Sequence, residues 1–276
     1  MSASTTAPSP TGYTERVPVV WRDRTVQIEY QWIGPERSDA PLAVFLHEGL
    51  GSVAMWKDFP HQLCDAGGLR GLVFSRPAYG RSTPRAADEV WGVDFMHQQA
   101  HEVVPAFLDA LGVKEAPWLF GHSDGASIAL LLAARWPQRV RGLVLMAPHI
   151  LVEDVTVQNI ERARDAYEQT DLRHKLARYH DDVDSAFWGW NRIWLAPAFR
   201  AWNIEPEIAQ IRAPVLAIQG CDDEYGTLAQ IRGIAQRVPG TRLLELPDCA
   251  HSPHRDQSGA VIAATVAFMK AHSTQR

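Results

Sequence analysis

The sequence predicts an α/β fold, in which helices cover both faces of a mostly parallel, eight-stranded sheet and one helical segment is inserted. Three observations support this prediction. Short apolar runs typical of buried strands alternate with helix-like segments through most of the chain. The first two strand-like runs are joined too tightly for a helix to lie between them. A long middle stretch, residues 150–207, is helix-like and contains no strand-like run.

The chain begins its regular structure with a predicted hairpin. Val17 to Trp21 and Thr25 to Ile33 are rich in residues that favour strands, and they are joined near Asp23. The second run alternates apolar and polar residues, which is typical of a strand with one buried face. We therefore expect an antiparallel pair at one edge of the sheet.

The following runs predict the parallel part of the sheet and its helices. The strand-like runs are Leu42 to Leu46, Gly71 to Ser75, Pro117 to Phe120, Val140 to Met146, Val215 to Gln219 and Arg242 to Leu246. The helix-like runs of the same region are Trp56 to Ala66, Val93 to Leu111, Ala126 to Ala134, Leu228 to Val238 and Ala260 to His272. Continuous apolar strands that alternate with helices are typical of a sheet buried on both faces.

The domain organisation follows from these patterns. Residues 13–149 and 208–276 are predicted to form one α/β core. The helical insertion, residues 150–207, contains the helix-like runs Asn159 to Gln169 and Leu172 to Tyr179. Residues 1–12 are rich in Ser, Thr and Pro, and we expect a disordered tail there.

Composition excludes several classes of function. The net charge of −5 and the absence of a basic block argue against nucleic acid as a partner. No run approaches the roughly 20 apolar residues of a membrane span, and the N-terminus lacks the apolar region of a signal peptide. Three cysteines in 276 residues give no disulfide framework. We therefore expect a cytoplasmic protein.

The most informative motif is G-x-S-x-G at Gly121-His122-Ser123-Asp124-Gly125. It lies between a strand-like run and a helix-like run. A serine on such a tight turn has a strained backbone and is exposed at the carboxyl edge of the sheet, above a helix N-terminus. Ser123 is therefore the candidate nucleophile.

An activated serine needs a base and an acid that orients the base. In a parallel sheet these should lie just after later strands. Val215 to Gln219 is followed by Gly220-Cys221-Asp222-Asp223-Glu224, and Arg242 to Leu246 by Pro247-Asp248-Cys249-Ala250-His251-Ser252-Pro253-His254. The order Ser, acid, His indicates a catalytic triad, with Asp222, Asp223 or Glu224 as the acid and His251 or His254 as the base.

These motifs resemble those of the α/β-hydrolase superfamily over almost the whole chain. His47-Glu48-Gly49-Leu50-Gly51 is similar to its loop after the third strand, and Arg76, Gly80 and Ser82 match its turn after the fourth. Two departures are Glu48 and Ala250, at positions where the family often has glycine.

The resemblance implies specific roles. It favours Asp223, three residues after Gly220, as the acid, whereas His251 is favoured as the base because it lies nearest the strand end. The oxyanion-hole donors are expected to be the backbone N–H groups of Asp124 and of Gly49 or Leu50. The helical insertion lies where the family has its lid.

The substrate pocket is less well defined by sequence. Four of the ten tryptophans fall in the insertion, and aromatic walls bury apolar parts of substrates. We expect the pocket to include Trp188, Trp190, Trp194 and His122. The Asp124 carboxylate either complements the helix N-terminus, tunes the nucleophile or binds an amino group of the substrate. His97 and His101 have the spacing of helical zinc ligands but lack a third ligand, so we expect neither a metal nor a cofactor.

The predicted function is hydrolysis of a small, partly apolar carboxylic ester through an acyl-enzyme on Ser123. The same triad serves C–C hydrolases of meta-cleavage products and lactonases in this superfamily, although Ser252 stands where those C–C hydrolases often have tryptophan. A non-catalytic small-molecule receptor is the alternative from a different class. We expect a small-molecule substrate and a monomer or homodimer.

Overall fold

The sheet has the predicted number of strands and the predicted mixture of directions. The structure, a computed structural model, describes residues 13–34, 39–86 and 88–272, so the predicted tail at residues 1–12 lies outside the described residues. Within them, eight strands form one sheet in the order β1-β2-β4-β3-β5-β6-β7-β8. These strands are β1 (Glu15–Trp21), β2 (Arg24–Ile33), β3 (Leu42–Leu46), β4 (Arg70–Phe74), β5 (Trp118–His122), β6 (Gly142–Met146), β7 (Val215–Gly220) and β8 (Arg242–Leu246). β2 pairs antiparallel with β1 and β4, and the other neighbours are parallel.

The α-helices of the described residues connect these strands, form the insertion or follow the strand β8. They are α1 (Phe59–Gly67), α2 (Phe95–Gln98), α3 (Val104–Ala110), α4 (Asp124–Arg135), α5 (Asp154–Gln169), α6 (Leu172–Leu176), α7 (Val183–Trp194), α8 (Glu205–Ile208), α9 (Ala229–Arg237), α10 (Pro253–Asp256) and α11 (Ser258–Ala271). Across the described part of the chain, we find no helix with both the length and the apolar character that a membrane span requires.

The N-terminal hairpin closes through a two-residue turn. Trp21 pairs with Arg24, and the two residues between them, Arg22 and Asp23, have φ angles of 51° and 59°. Left-handed backbone at both central positions follows the right-handed twist of the strands and is preferred in short hairpins. This turn places β1 at the edge of the sheet.

The parallel strands are buried on both faces. Every residue of β3, β4, β5, β6 and β7 is buried. Neighbouring residues of one strand belong to different apolar clusters: Leu119 to one and Phe120 to the other. This period of two separates the core into two layers, one under each set of helices. Burial of each large apolar side chain stabilises the sheet by about 1.5–3 kcal/mol.

Two of the predicted core helices differ from those observed for reasons that the backbone makes clear. The run Val93 to Leu111 is divided into α2 and α3 by a π-helical turn at Gln99–Val103. Pro105 has no N–H to donate to the carbonyl four residues earlier, so the regular α-helical pattern cannot continue through this point. The predicted helix from Trp56 begins instead at Phe59, because Lys57 has a φ of 54° and ends a preceding 3-10 turn.

The insertion leaves and rejoins the core at one place. Leu151 and Asn203 form an isolated antiparallel bridge, and the Ile204 N–H donates to the Ile150 carbonyl at 2.8 Å. Helices α5, α6 and α7 lie between these residues. The two ends of the insertion are thus joined above the carboxyl edge of β6, next to β5, whose end precedes Ser123.

Candidate active site

Ser123 lies on a strained turn between β5 and α4. Its φ and ψ angles are 52° and −121°, values that a side chain-bearing residue adopts only when its surroundings impose them. The Ser123 N–H donates to the Met146 carbonyl at 2.9 Å, which anchors the turn to β6. A Cβ at Gly125 would overlap the Leu46 carbonyl, and one at Gly121 would overlap the backbone of Ala126. Glycine at both positions therefore permits the close strand–helix approach that presents the hydroxyl.

The structure brings together Ser123, His251 and Asp223. The Ser123 hydroxyl lies 3.0 Å from His251 Nε2, and His251 Nδ1–H donates to Asp223 Oδ1 at 2.8 Å. The other candidates lie elsewhere. Glu224 accepts from the His251 backbone N–H at 3.2 Å, and both ring nitrogens of His254 lack a hydrogen bond within the described residues.

The other candidate acid, Asp222, and the other candidate base, His254, lie in different environments. Asp222 is exposed. The His254 ring packs against Trp56, Phe59 and His122 at centroid distances of 4.8–5.3 Å. His254 is thus a packing residue behind the base.

The groups that donate hydrogen bonds to Asp223 keep its carboxylate ionised. Its side chain is only 1% exposed, and burial alone raises the pKa of a carboxyl group. The hydrogen bond and charge of His251 and the Tyr225 N–H at 2.8 Å outweigh burial, so the pKa of Asp223 is below its ordinary value. Gln219 Nε2 donates to the second oxygen at 3.1 Å. The sequence analysis did not predict a role for Gln219, although its position near the end of β7 places it at the carboxyl edge of the sheet, where Asp223 lies.

The pKa of His251 is raised from its ordinary value of 6.5. Burial by itself lowers the pKa of the imidazole, but the hydrogen bond to Asp223 and the charges of Asp223 and Glu224 have the larger combined effect. An imidazole with a raised pKa accepts a proton more readily. The arrangement therefore supplies a base that is positioned and electrostatically activated beside a serine hydroxyl.

A cavity of about 120 Å³ adjoins Ser123 and His251. Residues of the core and the insertion line it together: Glu48, Gly49, Leu50, Ser123, Asp124, His149, Ile160, Trp190, Trp194, Tyr225 and His251. The three predicted sources of oxyanion-hole N–H groups, Gly49, Leu50 and Asp124, are thus placed beside the serine.

Of the four residues predicted to line the pocket, two tryptophans line this cavity and the other two residues lie elsewhere. Trp190 and Trp194 line the cavity, whereas Trp188 lines a separate surface groove next to Trp91. A separation of two residues along an α-helix corresponds to a rotation of about 200° around its axis. Trp188 and Trp190 therefore lie on opposite faces of α7. His122 does not line the cavity, because its ring points behind the base and its Nε2 lies 2.7 Å from the His251 carbonyl.

Asp124 is buried beside the nucleophile. Its Oδ1 accepts a hydrogen bond from Trp194 Nε1 at 3.2 Å, while Oδ2 has no hydrogen bond within the described residues. Burial raises the pKa of this carboxyl group to about 6, although the nearby charge of Arg76 and the Trp194 hydrogen bond partly oppose the shift. The carboxyl group therefore titrates close to neutral pH.

His149 is a site residue that the sequence reasoning missed. Its ring stacks on His251 with centroids 5.9 Å apart and lines the cavity. Burial lowers its pKa to about 3, so the ring is neutral. The only sequence signal was its place directly after the run Val140 to Met146, next to the serine strand.

The side chain of Glu48, the departure from the family pattern, points toward His122 and Arg255. Its carboxylate oxygens lie 3.5 Å from His122 Nδ1 and 3.5 Å from Arg255. Burial raises the pKa of Glu48, but the hydrogen bond and charges of His122 and the charge of Arg255 hold it well below the usual range. The side chain thus has ionic partners of its own within the loop that borders the cavity.

The described residues contain no cluster of three or more side chains arranged to bind a metal ion. His97 lies 3.0 Å from Glu207, and His101 Nε2 lies 3.4 Å from the Leu131 carbonyl. These histidines make separate contacts on the α2–α3 segment, far along the chain from the serine turn.

Comparisons with known proteins address the family and the fold of this chain. A sequence model of the family described as "Alpha/beta hydrolase family" matches residues 43–265. The 2-hydroxy-6-oxo-6-phenylhexa-2,4-dienoate hydrolase of Burkholderia cepacia is 24% identical over 253 residues, covering 82% of this chain and 86% of the relative.

Two solved structures show the same fold. The enol-lactonase from Burkholderia xenovorans superposes with a TM-score of 0.71 and 24% identity, covering 89% of this chain and 97% of that chain. A structure from a study of carboxylesterases of Nitrososphaera gargenis gives a TM-score of 0.74 and 16% identity, covering 94% and 100%.

Proposed function

This chain belongs to the alpha/beta hydrolase family and is a hydrolase, and from this premise we propose that it cleaves a small, partly apolar carboxylic ester through an acyl-enzyme on Ser123. The observation that carries the proposal is the continuous contact from Ser123 Oγ to His251 and from His251 to the buried Asp223 carboxylate. A serine hydroxyl is a weak nucleophile until such a base removes its proton.

The proposed reaction follows the family's two half-reactions. His251 Nε2 accepts the hydroxyl proton as Ser123 Oγ bonds to the ester carbonyl carbon, and the carbonyl oxygen becomes an oxyanion. When the intermediate collapses, His251 donates that proton to the departing alkoxide. Water then attacks the acyl-enzyme in the same way, its proton passing through His251 to Ser123. Each backbone donor to the oxyanion stabilises the transition state by about 2.7–4 kcal/mol.

The cavity supports a small substrate with an apolar part. Its volume of about 120 Å³ is below the roughly 150 Å³ of an engineered cavity that binds benzene. Ile160, Trp190 and Trp194 give it apolar walls. A short or compact acyl group fits this description better than a long fatty acyl chain.

The same geometry also supports a second candidate, cleavage of a C–C bond or a lactone. The observation in its favour is the similarity to the dienoate hydrolase of Burkholderia cepacia and to the enol-lactonase of Burkholderia xenovorans. Both reactions use a nucleophile, a base and an oxyanion hole at a carbonyl. A sensing role without turnover has less support, because the serine is already in contact with an activated base.

The test of the proposed function is the intact mass of the protein after exposure to a fluorophosphonate. We expect one adduct on the wild-type protein, no adduct on Ser123→Ala and a slowed reaction on His251→Ala. A folded wild-type protein that forms no adduct would contradict the proposal. A panel of short-chain esters, enol lactones and vinylogous diketones then distinguishes ester hydrolysis from the second candidate.

A further inference from the structure

One backbone carbonyl beside the cavity accepts three hydrogen bonds. The Glu48 carbonyl oxygen lies 2.8 Å from Arg76 Nη2, 2.7 Å from His47 Nδ1 and 3.1 Å from the Gly51 N–H. Three donors at a single carbonyl oxygen are more than a turn requires, since the Gly51 N–H alone closes it.

The protonation of His47 is defined by its second contact. The Arg76 backbone N–H donates to His47 Nε2 at 3.0 Å, so that nitrogen is an acceptor and the hydrogen of the neutral ring is on Nδ1. Burial, followed by the charge of Arg76, holds the pKa of His47 well below its ordinary value. Arg76 therefore both donates to the Glu48 carbonyl itself and orients the second donor.

These donors fix the direction of the Gly49 N–H. In a planar trans peptide the C=O of one residue and the N–H of the next point to opposite sides. His47 and Arg76 are fully buried and lie on the core side of the loop, whereas Gly49 lines the cavity beside Ser123. Holding the Glu48 oxygen toward the core thus turns the Gly49 N–H toward the cavity.

The Arg76 guanidinium also carries a buried positive charge that forms no ion pair with a carboxylate of the described residues. Its side chain is fully buried, and no carboxylate of the described residues lies within 4 Å of it. Its guanidinium carbon is 4.6 Å from the centre of the Tyr79 ring. A cation that hydrogen-bonds to an amide oxygen polarises the amide, and its N–H becomes a stronger donor.

We propose that Arg76 is a positioning residue of the oxyanion hole, which acts through the Glu48–Gly49 peptide to aim and strengthen the Gly49 N–H. This inference rests on the proposed function, and it selects Gly49 over Leu50 as the second backbone donor. The charge of Arg76 is transmitted to the developing oxyanion without Arg76 touching the substrate.

The rate of phosphonylation by a fluorophosphonate tests this inference without knowledge of the natural substrate, because the phosphonyl oxygen occupies the oxyanion hole. We expect Arg76→Met to lower the second-order rate constant by at least 10-fold, and by no more than the roughly 10²–10³-fold that loss of a complete donor costs. Arg76→Lys retains a cationic donor and should recover most of the rate. Arg76→Gln retains a neutral donor and should fall between Lys and Met.

A matched control is available on β4, the strand that precedes Arg76. Arg70, at the opposite end of β4, is also buried and is paired with Glu115. Arg70→Met removes a buried arginine remote from the cavity, so we expect phosphonylation at the wild-type rate even if the melting temperature falls. If Arg76→Met fails to fold, the comparison of the Lys and Gln variants retains the test.

Two further readouts distinguish positioning from a structural role and from an effect through Asp124. Burial and the groups Asp223, Glu224 and Glu48 have the largest effects on the pKa of His251. Loss of Arg76 should therefore leave the acidic limb of the rate–pH profile in place while the plateau falls. The charge of Arg76 does lower the pKa of Asp124. The effect of Arg76→Met should therefore keep its size in an Asp124→Asn background.

Each other outcome has a defined meaning. Equal rates for wild type and a folded Arg76→Met, a displaced acidic limb, or loss of the effect in the Asp124→Asn background would overturn the inference and leave the proposed function intact. An unreactive wild-type protein would overturn both. With an identified ester, kcat should fall in Arg76→Met while KM stays unchanged.

Discussion

At the residue scale, the contacts of Asp223 determine the acidic limit of activity. Asp223 raises the pKa of His251, and the imidazole works as a base only when it is deprotonated. Activity should therefore be lost as the pH falls through a value above the ordinary 6.5 of histidine.

Asp223→Asn should move this acidic limb to lower pH. The amide has no charge to raise the pKa of His251, and burial then lowers it. We also expect kcat/KM to fall by about 10⁴-fold, as for a triad that holds the wrong imidazole tautomer. The measurement is kcat/KM, or the phosphonylation rate, as a function of pH. Asp222→Asn is the control at the neighbouring exposed position, and an unmoved limb in Asp223→Asn would contradict the expectation.

A substitution of Asp124 tests whether its carboxylate binds a positively charged group of the substrate. Its Oδ2 is buried without a hydrogen bond in the described chain, and its pKa of about 6 leaves it mostly ionised above neutral pH. We expect Asp124→Asn to lower the efficiency for an α-amino acyl ester relative to its deaminated analogue by about 10-fold, a loss of roughly 1.4 kcal/mol. The comparison uses kcat/KM for the two esters on both proteins. An unchanged ratio would leave Asp124 with a role at the helix N-terminus only.

At the element scale, the acid and base loops touch at Gly220. A Cβ at this position would overlap the carbonyls of Cys249 and Ala250, so any larger residue must push the end of β7 away from the loop that carries His251. We expect Gly220→Ala to lower kcat/KM by at least 10²-fold, as small misplacements of catalytic groups do. Gly259→Ala, in α11 with open space around it, should preserve activity and stabilise the protein by up to roughly 1 kcal/mol. Equal activity of the two variants would contradict this account.

The elements also show what the sequence could predict. Apolar runs identified the strands, and the G-x-S-x-G motif located the serine turn because both depend on neighbouring residues. The π-helical turn at Gln99–Val103 was missed, although Pro105 marked the place. Trp188 was assigned to the pocket because aromatic composition was considered without the angular position of each residue on α7.

Local sequence patterns did not predict the contacts between residues that are far apart in the sequence. The Arg76 side chain meets the Glu48 carbonyl across 28 positions in the sequence, and the stacking of His149 on His251 joins the ends of β6 and β8. Such pairs depend on strand order, which places the ends of non-consecutive strands together. The acid and base were predictable because their loops follow strands in a known topology.

At the scale of the whole molecule, buried neutral histidines make stability depend on pH. His47, His149, His180 and His254 have pKa values lowered first by burial, whereas an unfolded chain protonates them near pH 6.5. Between that value and the folded pKa, about 3 for His149, the unfolded state binds more protons. Stability from these groups is thus complete above about pH 6.5 and is lost as the pH falls.

Two groups oppose this trend, since the pKa values of His251 and Asp124 are raised. We expect the four buried histidines named above to dominate, so the free energy of unfolding should be smaller at roughly pH 5 than at pH 7. One such histidine contributes up to about 2 kcal/mol over that interval. Urea denaturation at several pH values between 5 and 7 measures the slope of the free energy of unfolding against pH. His149→Gln should flatten it and His174→Gln, at an exposed position, should not; a slope that His149→Gln leaves unchanged would contradict the expectation.

The order of the strands also has a consequence for synthesis. Ser123 follows β5, in the interior of the sheet, whereas Asp223 and His251 follow β7 and β8, which leave the ribosome after β5 and after the helical insertion. A nascent chain that has completed the helical insertion can already form the serine turn, yet it contains neither the acid nor the base. Under the proposed function, its nucleophile stays inert until β8 joins the edge of the sheet. Catalytic competence should thus be acquired only after both strands have been made, and we expect a chain that ends before β7 to carry an unreactive serine.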